Sequence, residues 1–382
     1  MFFDEAPKTS RPDLYGFRDE QHSFLQALEE DARLVTIVGL RRTGKSSLLM
    51  TGLNASDQPS LIIDARAFAQ SPVISRADFF SALERSLNEF IASQTRWGSR
   101  ILSALKSVKG VEVNSGPPPS LSLTWGRTRE EVADLPGLFA SLGKVAESQK
   151  TKFVIAFDEA QEFRRLAGYD LAKLLAHVYD YIPSVQMVLT GSQVGFLHEF
   201  LSVEDPKGPL YGRVRVEIQT PRLKREQARD FLEKGFAQIK VKPDQNLIDS
   251  ALEKLDGIIG WLTFLGATAR RTHKFTEETV NQTLEEAARL AASEVMHFLE
   301  IRLIAKGRYL AILARLAQRP ASWSELKRSV QAEEGRSISD YVFNSLLSNL
   351  VKATLASKNA DGSYAIEDPV LVHALNSGAL HA

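Results

Sequence analysis

The 382-residue chain contains no cysteine, which excludes disulfides, thiolate nucleophiles and cysteine-based zinc sites together. It carries no net charge either, since Lys+Arg and Asp+Glu both number 47. A nucleic-acid coat or a polybasic membrane binder shows a large positive excess, so any such surface here is a local patch offset by acid elsewhere. No apolar run approaches the roughly 20 residues that cross a bilayer. The first eight residues hold no basic segment followed by a long apolar stretch. The expectation is a soluble cytoplasmic protein with no membrane contact. Internal repeats and low-complexity tracts are missing, and the seven histidines show no metal-ligand spacing; His177 and His297 fall inside helical patterns. What remains is 44% hydrophobic and 25% charged, a globular composition long enough for two or three domains.

What is present is ordered along the chain. A polar start leads to a helical pattern over 19–30, then a β-branched run over 34–39 that breaks at glycine and gives way to a second helical pattern. Further apolar strands are expected at 60–64, 153–159 and 185–192, with mostly helical sequence over 77–105. A period-two stretch over 108–125 predicts an inserted hairpin. Apolar strands separated by helices describe an α/β parallel sheet covered on both faces. Beyond Pro221 the strand signal stops, and helices are expected at 225–239, 244–256, 261–271 and 277–304. The last segment predicts helices at 309–317, 322–331 and 337–353 and a short hairpin at 359–362. Three domains follow: residues 1–220, 221–303 and 304–382. Trp125, Trp261 and Trp323 read as core.

The chemistry concentrates in three places. Gly39, Leu40, Arg41, Arg42, Thr43, Gly44, Lys45 and Ser46 match G-x-x-x-x-G-K-[ST] in full, followed by Ser47. In such a loop the backbone amides turn inward around phosphate oxygens, the lysine meets the β and γ phosphates, and the serine hydroxyl meets Mg²⁺. Asp158 and Glu159 close an apolar strand, which places them at the carboxyl edge of the sheet beside the phosphates. An aspartate there suits Mg²⁺, and the neighbouring glutamate suits a water-polarising role. Thr190-Gly-Ser192 ends the next strand, where the Ser192 hydroxyl is placed to feel the γ phosphate or orient water; a plain strand-ending turn is the alternative. Gln161 is a candidate transmitter of phosphate state. Arg213 is a candidate arginine finger, in its own subunit or in a neighbour's, with a surface salt bridge as the alternative.

These segments, in this order, resemble the archaeal ATPase family within the STAND branch of AAA+ proteins, relatives of the archaeal origin-recognition initiators. The resemblance is carried by Leu14-Tyr-Gly-Phe-Arg18, the arginine-bearing loop 39–46, Phe157-Asp-Glu-Ala-Gln161, Leu189-Thr-Gly-Ser192, Tyr211-Gly-Arg213, Gly257 to Leu262 and Tyr364 to Pro369. It implies an ATPase core that binds ATP or ADP with Mg²⁺, a helical lid and a C-terminal winged helix, with Leu14, Tyr15 and Phe17 near the adenine. Ile259 stands where such lids carry proline, which leaves the lid geometry and any sensing by Arg270 and Arg271 open.

A winged helix often lays its third helix in the DNA major groove. Here residues 337–353 contain one base, Lys352, and one acid, Asp340. From 304 onward nine Lys/Arg face seven Asp/Glu, a net of +2. Gln331, Asn344 and Ser345 are able to read bases, yet a protein-contacting module fits as well. No Asn-Lys-x-Asp guanine reader occurs. The leading expectation is an ATP-driven molecular switch; the rival is an ATP-regulated DNA-binding regulator of replication or transcription.

Overall fold

The computed structural model describes residues 1–68, 72–114, 116–124 and 132–380; Trp125 lies outside them. The first unit runs α1 (Arg18–Glu29), β1 (Leu34–Val38), α2 (Lys45–Ala55), β2 (Ser60–Asp64), α3 (Arg76–Ser93), α4 (Thr95–Leu105), β3 (Val111–Asn114), β4 (Ser120–Leu123), α5 (Leu135–Glu147), β5 (Phe153–Asp158), α6 (Leu171–Tyr181), β6 (Val185–Gly191), α7 (Val194–Leu201) and β7 (Val216–Gln219). Five strands form one sheet in the order β2-β5-β6-β1-β7, every pair parallel.

The apolar strands are continuous because both sheet faces are covered. Along β1 the alternation is visible: Leu34 and Val38 join the core beneath α3–α6, while Val35 and Ile37 join the core beneath α1 and α2. Strand β6 lies between β1 and β5, with Val38 level with Gly191 and Phe157 level with Leu189. The carboxyl ends of β1, β5 and β6 therefore open onto one edge. The predicted helix over 77–105 divides at Gln94 into α3 and α4. The predicted hairpin is present as β3 and β4, with Val111 opposite Leu123. Strand β7 had no counterpart in the sequence reading, because only Ile218 of its four residues is buried and no alternation develops.

Four helices follow: α8 (Arg225–Gln238), α9 (Gln245–Leu255), α10 (Ile259–Thr272) and α11 (Glu277–Glu300). The helix expected to reach 304 stops at Glu300 and gives way to a 3-10 turn, Leu303–Ala305. Then come α12 (Lys306–Gln318), α13 (Trp323–Glu334), α14 (Asp340–Lys352), the two-stranded β8 (Ser357–Lys358) and β9 (Tyr364–Ala365), and α15 (Pro369–Asn376). This is the winged-helix arrangement, with α15 as a further helix. Helix α15 packs on α11, α9 and α12, so the lid and the winged helix share one apolar core. Trp261 and the half-buried Trp323 both belong to it, as expected.

The polar-looking start of the chain belongs to that core too. Phe3 is fully buried between α8 and α10, where Gly235 and Gly266 make room: a Cβ on either would lie 2.2 Å from its ring. Residues 4–9 then cross to α2, where the Thr51 hydroxyl and the Asn54 amide donate to the carbonyls of Lys8 and Thr9 at 3.0 and 2.9 Å. Among the described residues, no helix is long and apolar enough to cross a membrane.

Candidate active site

Loop 39–46 joins β1 to α2, and its shape depends on two glycines. Gly39 has φ +154, and a Cβ there would lie 2.3 Å from the Thr220 hydroxyl and 2.8 Å from its carbonyl. Gly44 caps α2 with φ +92, and a Cβ there would press on the Phe17 ring at 3.2 Å. Only glycine fits both places. Thr43 fixes the loop to the sheet through hydroxyl contacts with Leu40 and Thr220 at 2.8 and 2.7 Å.

Lys45 is buried, and its ammonium donates to the Leu40 carbonyl at 2.6 Å. Burial lowers its proton affinity, an effect opposed by Glu159 and Asp158. The lysine is thus a poorly solvated cation at the start of a helix, a place where an anion is favoured. Ser46 donates to Asp158 Oδ2 at 2.7 Å. Asp158 is fully buried and also accepts from Thr190 and, at 2.9 Å, from Arg66. Burial pushes its carboxyl up, and the Thr190, Arg66 and Ser46 contacts oppose that. A serine hydroxyl beside a buried carboxylate is an all-oxygen pair of the kind Mg²⁺ takes, so these two residues fit the cation.

Glu159 leaves the strand in the left-handed region at φ 54, ψ 46, a strained conformation for a non-glycine. Its N–H donates to the Thr190 hydroxyl at 3.0 Å. Its Oε2 accepts from the Ser192 hydroxyl at 2.6 Å, the Ser192 N–H at 3.2 Å and the Gln161 amide at 2.6 Å. Burial alone would raise this carboxyl; Lys45, Arg41 and the Ser192 and Gln161 bonds outweigh it and bring it to about 2. These partners favour the ionised carboxylate.

Lys45, Ser46, Glu159 and Ser192 line a cavity of about 500 Å³ between the sheet edge and the lid, a size suited to a nucleotide-sized ligand, whereas Gly39, Leu40, Thr43, Asp158 and Gln161 lie behind its wall. Arg41, Arg42, Gly44 to Ser47, Glu159 and Ser192 form its polar end. Leu14, Tyr15 and Phe17 line the apolar end with Phe2, Phe231, Ile259 and Phe264. Ile259 opens α10 without proline and packs toward Gly44, 3.7 Å from a Cβ built there. The Tyr15 hydroxyl is bound to Asp230, and burial with that bond raises its pKa well above the ordinary range.

Not every expected residue reaches the cavity. Arg213 lies elsewhere on the surface, paired with Asp180 and bonded to the Pro209 carbonyl, so within one chain it does not face the phosphate end. Arg270 and Arg271 do not line the cavity, and Arg271 pairs with Glu5 at 3.3 Å. Sequence reasoning missed Arg66, Glu162, Glu294 and residues 4–8, all in the lining, and gave His297 no site role although it lines the cavity too. For Arg66 a signal existed: it follows β2, whose last residue Asp64 pairs in register with Asp158.

The sequence matches the family described as an ATPase domain predominantly from Archaea over residues 22–263. It also matches the MCM protein C-terminal winged helix-turn-helix domain over residues 303–366. Among curated proteins none matches. Among solved structures the chain is similar to a Walker-type ATPase of Pyrococcus abyssi, 31% identical with a TM-score of 0.80, covering 98% of this chain and 100% of that one. It shares its fold with the ORC2 protein of Aeropyrum pernix in its ADPNP–ADP complexes, 13% identical with a TM-score of 0.59, covering 100% of this chain and 97% of that one.

Proposed function

The chain belongs to the ATPase family found predominantly in Archaea, and from that premise we propose that it is a Mg²⁺-dependent molecular switch of the STAND kind. It hydrolyses ATP; the proposal concerns what hydrolysis moves. Lys45 binds the β and γ phosphates, Ser46 and Asp158 would hold Mg²⁺, and Glu159 polarises the attacking water. Bound Mg²⁺ supplies charge neutralisation at the phosphates. Lys45→Ala is expected to abolish nucleotide binding, measured by titration with a fluorescent ATP analogue.

The observation that carries the switch reading is the wiring of Arg42. Its carbonyl accepts from the Gly260 N–H at 2.8 Å, its guanidinium lies 4.0 Å from the Trp261 ring centroid, and it pairs with Glu294 at 3.1 Å. The Trp261 indole N–H donates in turn to Asp368, the N-cap of α15, at 3.1 Å. A residue of the phosphate-binding loop is thereby in contact with the lid and, through one ring, with the winged helix. Two states that bind ATP and ADP differently shift population when one replaces the other. Trp261 fluorescence tests this: ATP and ADP are expected to give different emission, lost in Trp261→Phe and reduced in Arg42→Ala. Identical emission in the two nucleotide states would remove the switch.

The second reading, an ATP-regulated DNA-binding regulator, has the winged-helix match in its favour. Charge weighs against it. The one base of α14, Lys352, pairs with Glu199 at 2.7 Å, and Asn344 accepts from the Trp323 indole at 2.7 Å. Lys327 pairs with Asp340, and Arg315 with Glu325 at 3.1 Å. Phosphate contacts would have to break these pairs. Titration against duplex DNA at varied salt separates the readings, since no affinity at low salt removes the DNA role and favours a protein partner.

A further inference from the structure

The winged helix meets the ATPase core at the end of α14, directly behind the catalytic glutamate. Thr354, two residues past that helix, places its hydroxyl 2.8 Å from the Ser192 carbonyl and 2.6 Å from its own neighbour's, that of Ala353, so its one proton is shared between the two and reaches the ATPase core through Ser192. Ser192 donates its own hydroxyl and N–H to Glu159. One residue thus receives the winged helix on its carbonyl and grips the water-polarising carboxylate with its two other polar groups. The contact is built closely. Gly195 of α7 lies against Lys352, so that a Cβ there would fall 2.7 Å from the Lys352 Cα, and Lys352 closes the seam through Glu199. Thr354 itself has φ +56, a conformation that β-branched residues avoid and that persists only where the surroundings impose it.

We propose that Thr354 is a positioning residue for hydrolysis: the docked winged helix holds Ser192 on Glu159 and restrains the carboxylate, and undocking frees it. This rests on Glu159 as the residue that polarises water. Oε2 already accepts three donors, more than the two lone-pair directions of a carboxylate oxygen serve well, so water is left with Oε1 alone. The Ser192 hydroxyl, turned to Glu159, is equally withheld from a phosphate. A docked winged helix therefore marks a resting site, and a binding event that draws α14 away from α7 raises turnover without touching the nucleotide.

The test is steady-state ATPase kinetics on the full chain. Thr354→Val keeps the shape and removes the donor. It is expected to raise kcat roughly five-fold, the rate equivalent of one neutral hydrogen bond, with KM for ATP unchanged. Thr354→Ser, which keeps the hydroxyl, is expected to return the parent rate, a rescue that a purely structural role would not show. If Thr354→Val does not fold, Lys352→Met at the exposed ion pair carries the same test, again with raised kcat expected. An unchanged or lowered kcat in the folded variant overturns the proposal. Glu159→Gln, measured alongside, tells the failures apart. Lost turnover there with an unaltered Thr354→Val rate sinks the restraint alone, whereas near-normal turnover in Glu159→Gln removes the water-polarising assignment and the restraint with it.

Discussion

The winged helix has two seams of opposite character. Toward the lid it is joined by apolar packing: the Phe298 ring meets Tyr309 edge-on with centroids 5.2 Å apart, and Val370, Leu371 and Ala374 of α15 are buried in the shared core. Toward the ATPase core, α14 is held by the Lys352–Glu199 pair, both side chains more than a third exposed, and by the Thr354 hydroxyl. Opening the first exposes apolar area at about 25 cal/mol per Å². Opening the second releases an exposed ion pair worth about 0–1 kcal/mol and a hydrogen bond worth about 1 kcal/mol. On the proposed switch reading, lid and winged helix would therefore move as one body against the core. One apolar contact also crosses this second seam: Phe196 projects from α7 into the shared core, with the Arg164 and Arg302 guanidinium carbons 3.7 and 5.4 Å from its ring centroid.

The comparison breaks most easily at the apolar seam. Phe298→Ala removes one ring of the Phe298–Tyr309 pair from a buried site and is expected to cost about 3–5 kcal/mol. Urea unfolding measures it. If the lid and winged helix form one body, they still unfold in a single transition in the variant. A winged helix that melts first while the lid persists would mean two bodies and would undo the contrast.

A smaller effect sharpens the same seam. Asp368 caps α15 and accepts from Trp261, and its burial, against the Trp261 and Val370 bonds, pushes its carboxyl above the ordinary 3.8. A carboxyl with a raised folded-state pKa contributes stability that is fully present below 3.8 and lost as pH rises through the folded value. Asp368→Asn keeps the cap and the acceptor while removing the charge. It is expected to be more stable than the parent at neutral pH by on the order of 1 kcal/mol, and to lose that part of the pH dependence. Unfolding measured from acid to neutral pH checks both the size and the sign. Parallel pH curves for the two proteins would show that Asp368 carries no such strain.

How much of this was legible in the sequence follows from how far apart the partners lie. The phosphate loop, Asp158 and Glu159 could be read because their chemistry is written in adjacent residues, and the buried strands could be read because they are continuous apolar runs. The order of helices in the lid and winged helix followed from periodicity. Phe3 could not be placed, because the glycines that admit its ring are Gly235 and Gly266. Strand β7 is an edge with a single buried residue, too little for a pattern. Arg42 was counted as a loop residue, and nothing local shows that its guanidinium stacks on Trp261. Arg213 sits in the expected segment, yet its distance from the cavity depends on how that segment packs on α6. The Ser192–Thr354 bond joins residues 162 positions apart and leaves no mark on either stretch. Chemistry made by neighbours in sequence was visible, and coupling made by packing was not.

The polar seam offers the smallest and most selective test. At about 1 M salt the Debye length falls to about 3 Å, and an exposed ion pair is largely screened. The apolar seam has no comparable sensitivity, and salts excluded from protein surfaces strengthen it. Hydrogen exchange at low and high salt should therefore separate the two ends of the winged helix. Protection at Thr354 and Leu355 is expected to fall about two- to five-fold, the equivalent of a surface ion pair, while the amides of α15 keep theirs. The Lys352→Met variant should already show the reduced protection at low salt and gain no further loss. Equal loss at α14 and α15 would mean that salt loosens the whole domain. In that case the ion pair at Glu199 would not be the latch, and the contact that holds the core against the winged helix would have to be sought at Phe196.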